Sequence, residues 1–491
     1  MCIRDRTKDL KFLFEPRGVI VTGVSSHPGK FGFVALHNIL SCGYEGKVFA
    51  IGREESTVLE QKVTTSLDSI PENEADLMIL CTPVEMNEEL LRKASEKGVK
   101  AVFCAAGGYS ETGEEGLKAE KRLVALAAEL DLVLAGPNGQ GVVSPPAGLC
   151  AQIVAPYAPK GRIAVVSQSG NFVSSFLNYA NQTGIGISRS VSAGNAAATE
   201  IIDFLEWFST DPATDVALCY LEGLEKGRDF FERIKTITKK LPIVLVKGGT
   251  TMGGQRAAAS HTGSLASDSK IFEGMARQAG ITRAPNIESA FEIAATFATQ
   301  PLPSGPRVLV LTTAGGWGVV TADAISNSSE LVLTPLPNDL KEEINKLLPP
   351  RWSKNNPIDL AGGETRDTIP ELLSIASKHP EIDSIIQLGL GIQGNTANLV
   401  RTGKFYPDHG LERIVNFHER QERRYAEVSI KASLSSGKPI LIASELATTQ
   451  PNNPMVKTIR DSGQLCYASA NRAVSALNHL VRYAIWRNQS N

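Results

Sequence analysis

Short runs of apolar residues, rich in valine and isoleucine, recur along the chain and alternate with segments whose apolar residues fall three to four apart. GVIVTGV (18–24) is the first such run. A polar turn containing glycine, SSHPGKFG (25–32), follows it, and then FVALHNILSCG (33–43), which has helical spacing. KVFAI (47–51), ADLMILCTP (75–83), KAVFCAAGG (100–108) and LVLAGPN (132–138) continue the series, with NEELLRKASEKG and KRLVALAAELD between them. A strand that is apolar at every position is buried on both faces, which marks a parallel sheet covered by helices. The pattern predicts an α/β fold of doubly wound units.

The same grammar restarts twice. After the Pro/Gly-rich stretch PPAGLCAQIVAPYAPKG (145–161), which reads as a linker, RIAVVSQSGN (162–171) is again strand, turn and helix start. DVALCYLEG (215–223) and LPIVLVKGG (241–249) follow. After QPLPSGP (300–306), RVLVLTTAGGWG (307–318) opens a third unit, with IDSIIQLGLG (382–391) and KPILIAS (438–444) as its later strands. NRAVSALNHLVRYAIWR (471–487) closes the chain as an amphipathic helix. Three successive units are expected, over residues 1–148, 149–301 and 302–491. The opening MCIRDRTKDL fits no element.

Composition narrows the function classes. A length of 491 residues suits about three domains. Fifty Lys+Arg against 52 Asp+Glu leave a formal charge of −2, which excludes a polybasic nucleic-acid binder and an acidic tail. The seven cysteines are scattered, with no C-x-x-C pair and no Cys/His zinc spacing, so reduced thiols in a cytoplasmic protein and no metal site are expected. No run of ~18 apolar residues predicts a membrane span, and no apolar core near residue 1 predicts a secretory signal.

Seven of the 43 glycines lie in the turns TGVSSHPGKFG, SQSGN and TAGGWG. A turn that feeds a helix presents backbone N–H groups and the positive end of the helix dipole to an anion. Any one of these is equally well a tight turn without a ligand; three at corresponding positions point to phosphate-bearing ligands. Gly23 and Gly29 do not form the G-x-G-x-x-G dinucleotide fingerprint, and no P-loop is present.

The stretch KGGTTMGGQRAAASHTGSLASD (247–268) is too small and polar to build a core, and predicts a mobile surface loop. It carries His261. A lone loop histidine is ordinarily just solvated, but Ser260, Thr262 and Gly263 beside it let it enter a tight site. Imidazole is also a competent phosphoryl acceptor near neutral pH. Such a histidine needs a carboxylate on its second nitrogen. Glu222, in YLEG at the end of an apolar strand, is the candidate; the alternative is a strand-end carboxylate facing water.

With PGKFG, AGGYSETGEEG, GPN, SQSGN, SAGN, YLEG, KGG…AAASHTGSLA, TAGGWGVVTAD and NPIDLAGG in hand, the chain resembles the α chain of NDP-forming acyl-CoA synthetases, relatives of succinyl-CoA synthetase, from about residue 12 onward. The resemblance implies a Rossmann-like CoA-binding domain followed by two flavodoxin-like ligase domains. It implies that His261 is phosphorylated during turnover and that Glu222 orients it. Ser169, Gly170 and Asn171 would bind phosphate at one helix N-terminus; Gly315, Gly316 and Gly318 would belong to a second. Gly23, Ser25, Lys30, Pro83, Gly108 and Glu111 would lie along the CoA groove.

In the family, acyl-CoA and phosphate give acyl phosphate and CoA, and the histidine passes the phosphoryl group to a nucleoside diphosphate. The ATP-grasp domains that bind the nucleotide have no counterpart in these residues, so ADP or ATP with Mg2+ is expected only on a partner ATP-grasp β subunit. The sequence departs from the family at Gly139 and Gln140, where cysteine is common after GPN, and FYPDHGLERIVNFHERQERRYAEV (405–428) has no close counterpart. Two other readings remain: a non-catalytic CoA- or acyl-CoA-binding regulator on the same fold, and a dinucleotide-dependent oxidoreductase. Retention of His261, Glu222 and two phosphate turns speaks against the first, and the missing fingerprint against the second.

Overall fold

The computed structural model describes residues 9–154, 156–224, 226–256, 269–360, 362 and 366–490. They form two compact units, one of residues Met1–Gln182 and Gly186–Ala290, the other of Thr183–Ile185 and Phe291–Asn491. The α/β expectation holds: three largely parallel sheets are present, two in the first unit and one in the second.

The first sheet contains β1 (Gly18–Val24), β2 (Lys47–Gly52), β3 (Ser56–Val58), β4 (Gln61–Thr64), β5 (Leu77–Leu80), β6 (Ala101–Cys104) and β7 (Val133–Ala135), in the order β3-β4-β2-β1-β5-β6-β7. Only the β3–β4 pair is antiparallel. Helices α1 (Phe31–Ser41), α2 (Val84–Glu96) and α3 (Glu114–Glu129) connect the parallel strands. The order reverses at β1, as in dinucleotide-type folds, and the crevice at such a reversal is where ligands bind.

The second sheet contains β8 (Gly141–Ser144), β9 (Leu149–Gln152), β10 (Lys160–Ser167), β11 (Ile187–Ser192), β12 (Val216–Leu221), β13 (Ile243–Lys247) and β14 (Thr282–Arg283), in the order β14-β13-β12-β10-β11-β8-β9. Its parallel part, β11-β10-β12-β13-β14, has the flavodoxin-like order. Helices α4 (Gly170–Thr183), α5 (Ile201–Phe208) and α6 (Gly227–Ile237) follow β10, β11 and β12. The stretch expected to be a linker is partly sheet. Pro145–Ala147 and Gly148, at φ +64, form the turn of an antiparallel hairpin, and LCAQ continues as the fully buried β9. Two prolines and a glycine here make a tight reversal rather than a flexible tether.

Of the opening segment that fits no element, residues 1–8 lie outside the described residues; Leu10 and the residues just after it pack. Leu10, Leu13 and Phe14 are fully buried, and Phe14 stacks on Trp207 at 5.0 Å. One apolar cluster runs continuously from these residues through both sheets, which is why two sheets share one compact unit.

The third sheet contains β15 (Arg307–Thr312), β16 (Val332–Leu333), β17 (Ile358–Asp359), β18 (Ser384–Leu388), β19 (Ile440–Ala443) and β20 (Cys466–Tyr467), in the order β16-β15-β18-β19-β20 with β17 also on β15. Helices α7 (Gly315–Ser326), α8 (Ile392–Arg401), α9 (Leu411–Ser436) and α10 (Ala470–Ser490) pack around it. Segment 405–428 falls mainly in α9.

All three sheets share one device at the end opposite their ligand-side rims. An arginine at or beside the start of the central strand pairs with an aspartate just before its neighbour: Arg17 with Asp76, Arg162 with Asp215, and Arg307 with Asp383. In the first and third the arginine also donates its backbone N–H to the same carboxylate. Burial opposes charge on Asp76 and Asp383, but these hydrogen bonds outweigh it and hold both carboxyls below the usual carboxylate range.

Candidate active site

At the rim of the first sheet, Gly23, the residue before the last of β1, has φ +68. A side chain there would run into the Cys81 carbonyl, and one at Gly32 would run into the Gly23 carbonyl. Bare backbone at both positions lets β1, β5 and α1 close together. Gly32 thus does the packing work that the sequence reading did not assign. Between them, Ser25 is half-buried and Lys30 exposed, and the Gly29 N–H donates to His27 Nδ1 at 3.0 Å. Pro83 precedes α2 at the end of β5, and Gly108, at φ +101, lies against Val84, where a Cβ would approach to 2.9 Å. The expected CoA residues from β1, β5 and β6 therefore lie on one rim.

Glu111 is fixed on that rim. Its Oε1 accepts from the backbone N–H groups of Gly108 (2.5 Å) and Tyr109 (3.2 Å), and its Oε2 accepts from Asn195 Nδ2 (2.8 Å). Burial pushes its carboxyl up, but these donors, Asn195 foremost, outweigh burial and hold it below its ordinary value. Asn195 lies in the SAGN turn of the second sheet. That turn interlocks with GPN: Asn195 N donates to the Pro137 carbonyl at 2.9 Å, and a side chain at Gly194 would overlap the same carbonyl. Two motifs far apart in sequence thus form one joint.

At the rim of the second sheet, Ser167 ends β10 and braces the next turn. Its Oγ donates to the Ser169 carbonyl (2.6 Å) and accepts from the Ser169 N–H (3.0 Å). The chain then enters α4 at Gly170, with Asn171 exposed. Gly170 is required by Gln140, whose side chain fills the space a Cβ would take. Gln140, noted above only as a departure from the family, covers the first turn of α4.

Glu222 follows β12 directly and is 8% exposed. Its Oε1 accepts from the Tyr220 hydroxyl at 3.2 Å, and its N–H donates to Gln168 Oε1 at 2.5 Å. Gln168 stands between Ser167 and Ser169, so one side chain links the candidate phosphate turn to the candidate orienting carboxylate. Burial, with the Glu222 charge beside it, pushes the Tyr220 phenol up. His261, with Ser260, Thr262 and Gly263, lies outside the described residues.

In the second compact unit, Thr312 repeats the Ser167 brace. Its Oγ1 donates to the Ala314 carbonyl (2.8 Å) and accepts from the Ala314 N–H (3.0 Å). Gly315 and Gly316 are exposed at the start of α7, and a Cβ at Gly315 would come within 2.5 Å of Asp359 Oδ2. Gly318 is different: it is buried one turn further on against Thr312 and Pro357, and serves packing.

A second glycine turn on this rim, LGLG before α8, is already filled. The buried Glu422 of α9 accepts from the N–H groups of Gly391 (2.8 Å), Gln393 (2.8 Å) and Gly394 (3.4 Å). Burial pushes this carboxyl up, and the three donors pull against it. Glu422 belongs to the segment without a family counterpart, so the sequence carried no signal for this cap.

Known proteins fall on the same plan. Residues 17–145 match a CoA binding domain, 160–297 a succinyl-CoA ligase like flavodoxin domain, and 308–395 a ligase-CoA domain. The acetate–CoA ligase [ADP-forming] I subunit alpha of Pyrococcus furiosus is 33% identical over 484 residues, covering 97% of this chain and 98% of its own. The acetate–CoA ligase [ADP-forming] I of Archaeoglobus fulgidus is 33% identical over 379 residues, which is 77% of this chain but 54% of that protein. Among solved structures, the dinucleotide forming acetyl-coenzyme A synthetase 1 of Candidatus Korarchaeum cryptofilum, in complex with phosphate and ADP, superposes with a TM-score of 0.83 at 29% identity, covering 98% of both chains. Identity of this extent, laid over the same succession of three sheets, places the chain in the family of ADP-forming acetate–CoA ligase α subunits.

Proposed function

We propose that this chain is the α-type half of an NDP-forming acyl-CoA synthetase working through phospho-His261. Phosphate oxygen attacks the thioester carbonyl of acyl-CoA, the C–S bond breaks, and CoA leaves as the thiolate, giving an acyl phosphate. An imidazole nitrogen of His261 then attacks phosphorus and the carboxylate leaves. The phosphoryl group passes from nitrogen to a terminal oxygen of a nucleoside diphosphate. The reverse sequence makes acyl-CoA.

The observation that carries this reading is the Gln168 bridge, which ties the turn before α4 to the backbone of Glu222. A turn at a helix start stabilises phosphate through N–H groups and the dipole. Ser169, Gly170 and Asn171 take that role, with Gly315 and Gly316 as a second such start. Glu222 orients His261 and supports its cation. CoA lies along Gly23, Ser25, Lys30, Pro83, Gly108 and Glu111. The division into residues 1–148, 149–301 and 302–491 then corresponds to CoA binding and two ligase parts.

Nucleotide and Mg2+ are assigned to a separate ATP-grasp β subunit. The chain covers an α subunit almost end to end but only about half of a single-chain ligase, which supports this. Incubation of the chain with such a partner and labelled ATP is expected to give acid-labile, alkali-stable label that His261→Gln abolishes. Undiminished label in that variant sinks the proposal. CoA binding with no label under any partner condition supports the non-catalytic regulator instead.

A further inference from the structure

Glu222 is held through its main chain as well as its carboxylate. Its N–H goes to Gln168 Oε1 at 2.5 Å and its carboxylate receives the Tyr220 hydroxyl, while its carbonyl accepts from Lys247 Nζ at 2.5 Å. Lys247 is the last residue of β13 and only 7% exposed. Its ammonium makes a second 2.5 Å bond, to the carbonyl of Gly248. Gly248 is the first glycine of the stretch that runs on to His261. A buried ammonium must be satisfied by strong acceptors, and here two main-chain carbonyls on neighbouring strand ends supply them.

Gly248 is shaped to the same arrangement. A Cβ there would lie 2.5 Å from the Tyr220 hydroxyl and 3.5 Å from Glu222 Cγ, so a side chain at this position would push the Tyr220 hydroxyl from where it bonds Glu222. Gly248 N also donates to the Leu221 carbonyl at 2.9 Å, extending the β12–β13 ladder by one rung. Phe272 lies beneath the ammonium, with its ring centroid 5.8 Å away, and Arg283 stacks on the same ring at 5.0 Å. Lys247 therefore faces Glu222 on one side and Arg283 on the other.

We propose that Lys247 is a positioning residue for phosphoryl transfer: by joining the carbonyls of Glu222 and Gly248, it sets the carboxylate at a fixed distance from the point where the histidine-bearing stretch leaves the sheet. It touches no reacting atom and acts through Glu222. The inference rests on the roles proposed above for His261 and Glu222.

The test uses the full chain with an ATP-grasp partner, labelled ATP and Mg2+, and four variants: Lys247→Met, Lys247→Gln, Lys247→Arg and His261→Gln. Misplacing a reacting group by about 1 Å costs on the order of 100-fold. Lys247→Met is expected to slow labelling and kcat by about that factor, with KM for acyl-CoA changed less than about twofold. Lys247→Arg, which keeps charged donors, is expected to regain at least about tenfold of the loss. Lys247→Gln keeps a neutral amide NH2 on a shorter stem, is expected between them, and serves if the methionine variant does not fold.

Wild-type labelling rates in folded Lys247→Met or Lys247→Gln overturn the proposal, and so does a loss matched by equal loss of CoA binding, which marks general damage. If His261→Gln labels as fast as the wild type, the phosphohistidine reading itself has failed, and the role of Lys247 falls with it.

Discussion

Asn195→Leu tests the joint between the first two sheets. Asn195 Nδ2 lies 2.8 Å from Glu111 Oε2, 2.8 Å from Glu120 Oε2 and 3.0 Å from Ser110 Oγ. Its two amide hydrogens serve three oxygens, so two strong bonds are made at a time. Leucine is similar in size but removes both donors and turns two carboxylates toward an apolar side chain. Bonds to charged groups contribute about 1.5–3 kcal/mol each. Glu111 is only partly buried and keeps its backbone donors, so the lower end applies, and a deficit of about 3 kcal/mol is expected at pH 7.

The sign of the pH dependence follows from Glu111. Its folded carboxyl lies below the ordinary 4.5 because Asn195 and the backbone donors outweigh burial. A carboxyl depressed on folding adds stability above its unfolded pKa and loses it as pH falls through the folded value. Without Asn195 the largest of the groups opposing burial is gone, and the carboxyl moves up. The deficit of the variant should therefore be largest at neutral pH and shrink below 4.5. Urea denaturation of both proteins near pH 7 and near pH 4 reads this directly. A deficit equal at the two pH values refutes the electrostatic account, and no deficit at all refutes the importance of the joint.

Other perturbations separate other parts of the fold. Asp383→Asn removes the charge and replaces by NH2 one of the two oxygens that accept from Arg307 N, Nε and Nη2 and from Ser304 Oγ. It is expected to cost about 2 kcal/mol in urea unfolding at pH 7, less as acid protonates the wild-type carboxyl, whose pKa is depressed on folding. Burial, with Arg482 nearby, lowers His479 from 6.5 to about 4. The unfolded chain takes up that proton first, so stability falls as pH drops from 6.5 toward about 4, by up to roughly 3 kcal/mol, and thermal melting of His479→Gln should lack this part of the slope. Gly32→Ala would drive a Cβ into the Gly23 carbonyl, a backbone atom that cannot rotate away. It should cost about 2 kcal/mol and weaken CoA binding measured by calorimetry.

Several features were legible because they are local. The uninterrupted apolar runs at 18–24, 162–167 and 307–312 became β1, β10 and β15 because a parallel strand covered on both faces needs no polar alternation. The Arg–Asp clamps also had a signal that went unread: an arginine at the strand start, and an aspartate just before LMIL, VALCYL and SIIQL. The prolines of 145–161 misled, because the same residues that loosen a linker also close a hairpin. Asn195 and Glu111 are 84 positions apart, and nothing in either turn announces the other. Lys247 fell in the sequence at the start of a stretch expected to be a surface loop; it is the buried end of β13, and only packing shows which two carbonyls it joins.

By itself, then, the sequence determined three α/β units and the glycine turns at their strand ends. Those properties depend on consecutive residues. The tertiary structure decided which turns stay available to a ligand. LGLG before α8 and GGWG at α7 look alike in sequence, yet one is closed by Glu422 arriving from α9, while Gly315 and Gly316 remain exposed. A helix start binds whatever anion reaches it first, and a carboxylate tethered by the fold is always nearer than one in solution.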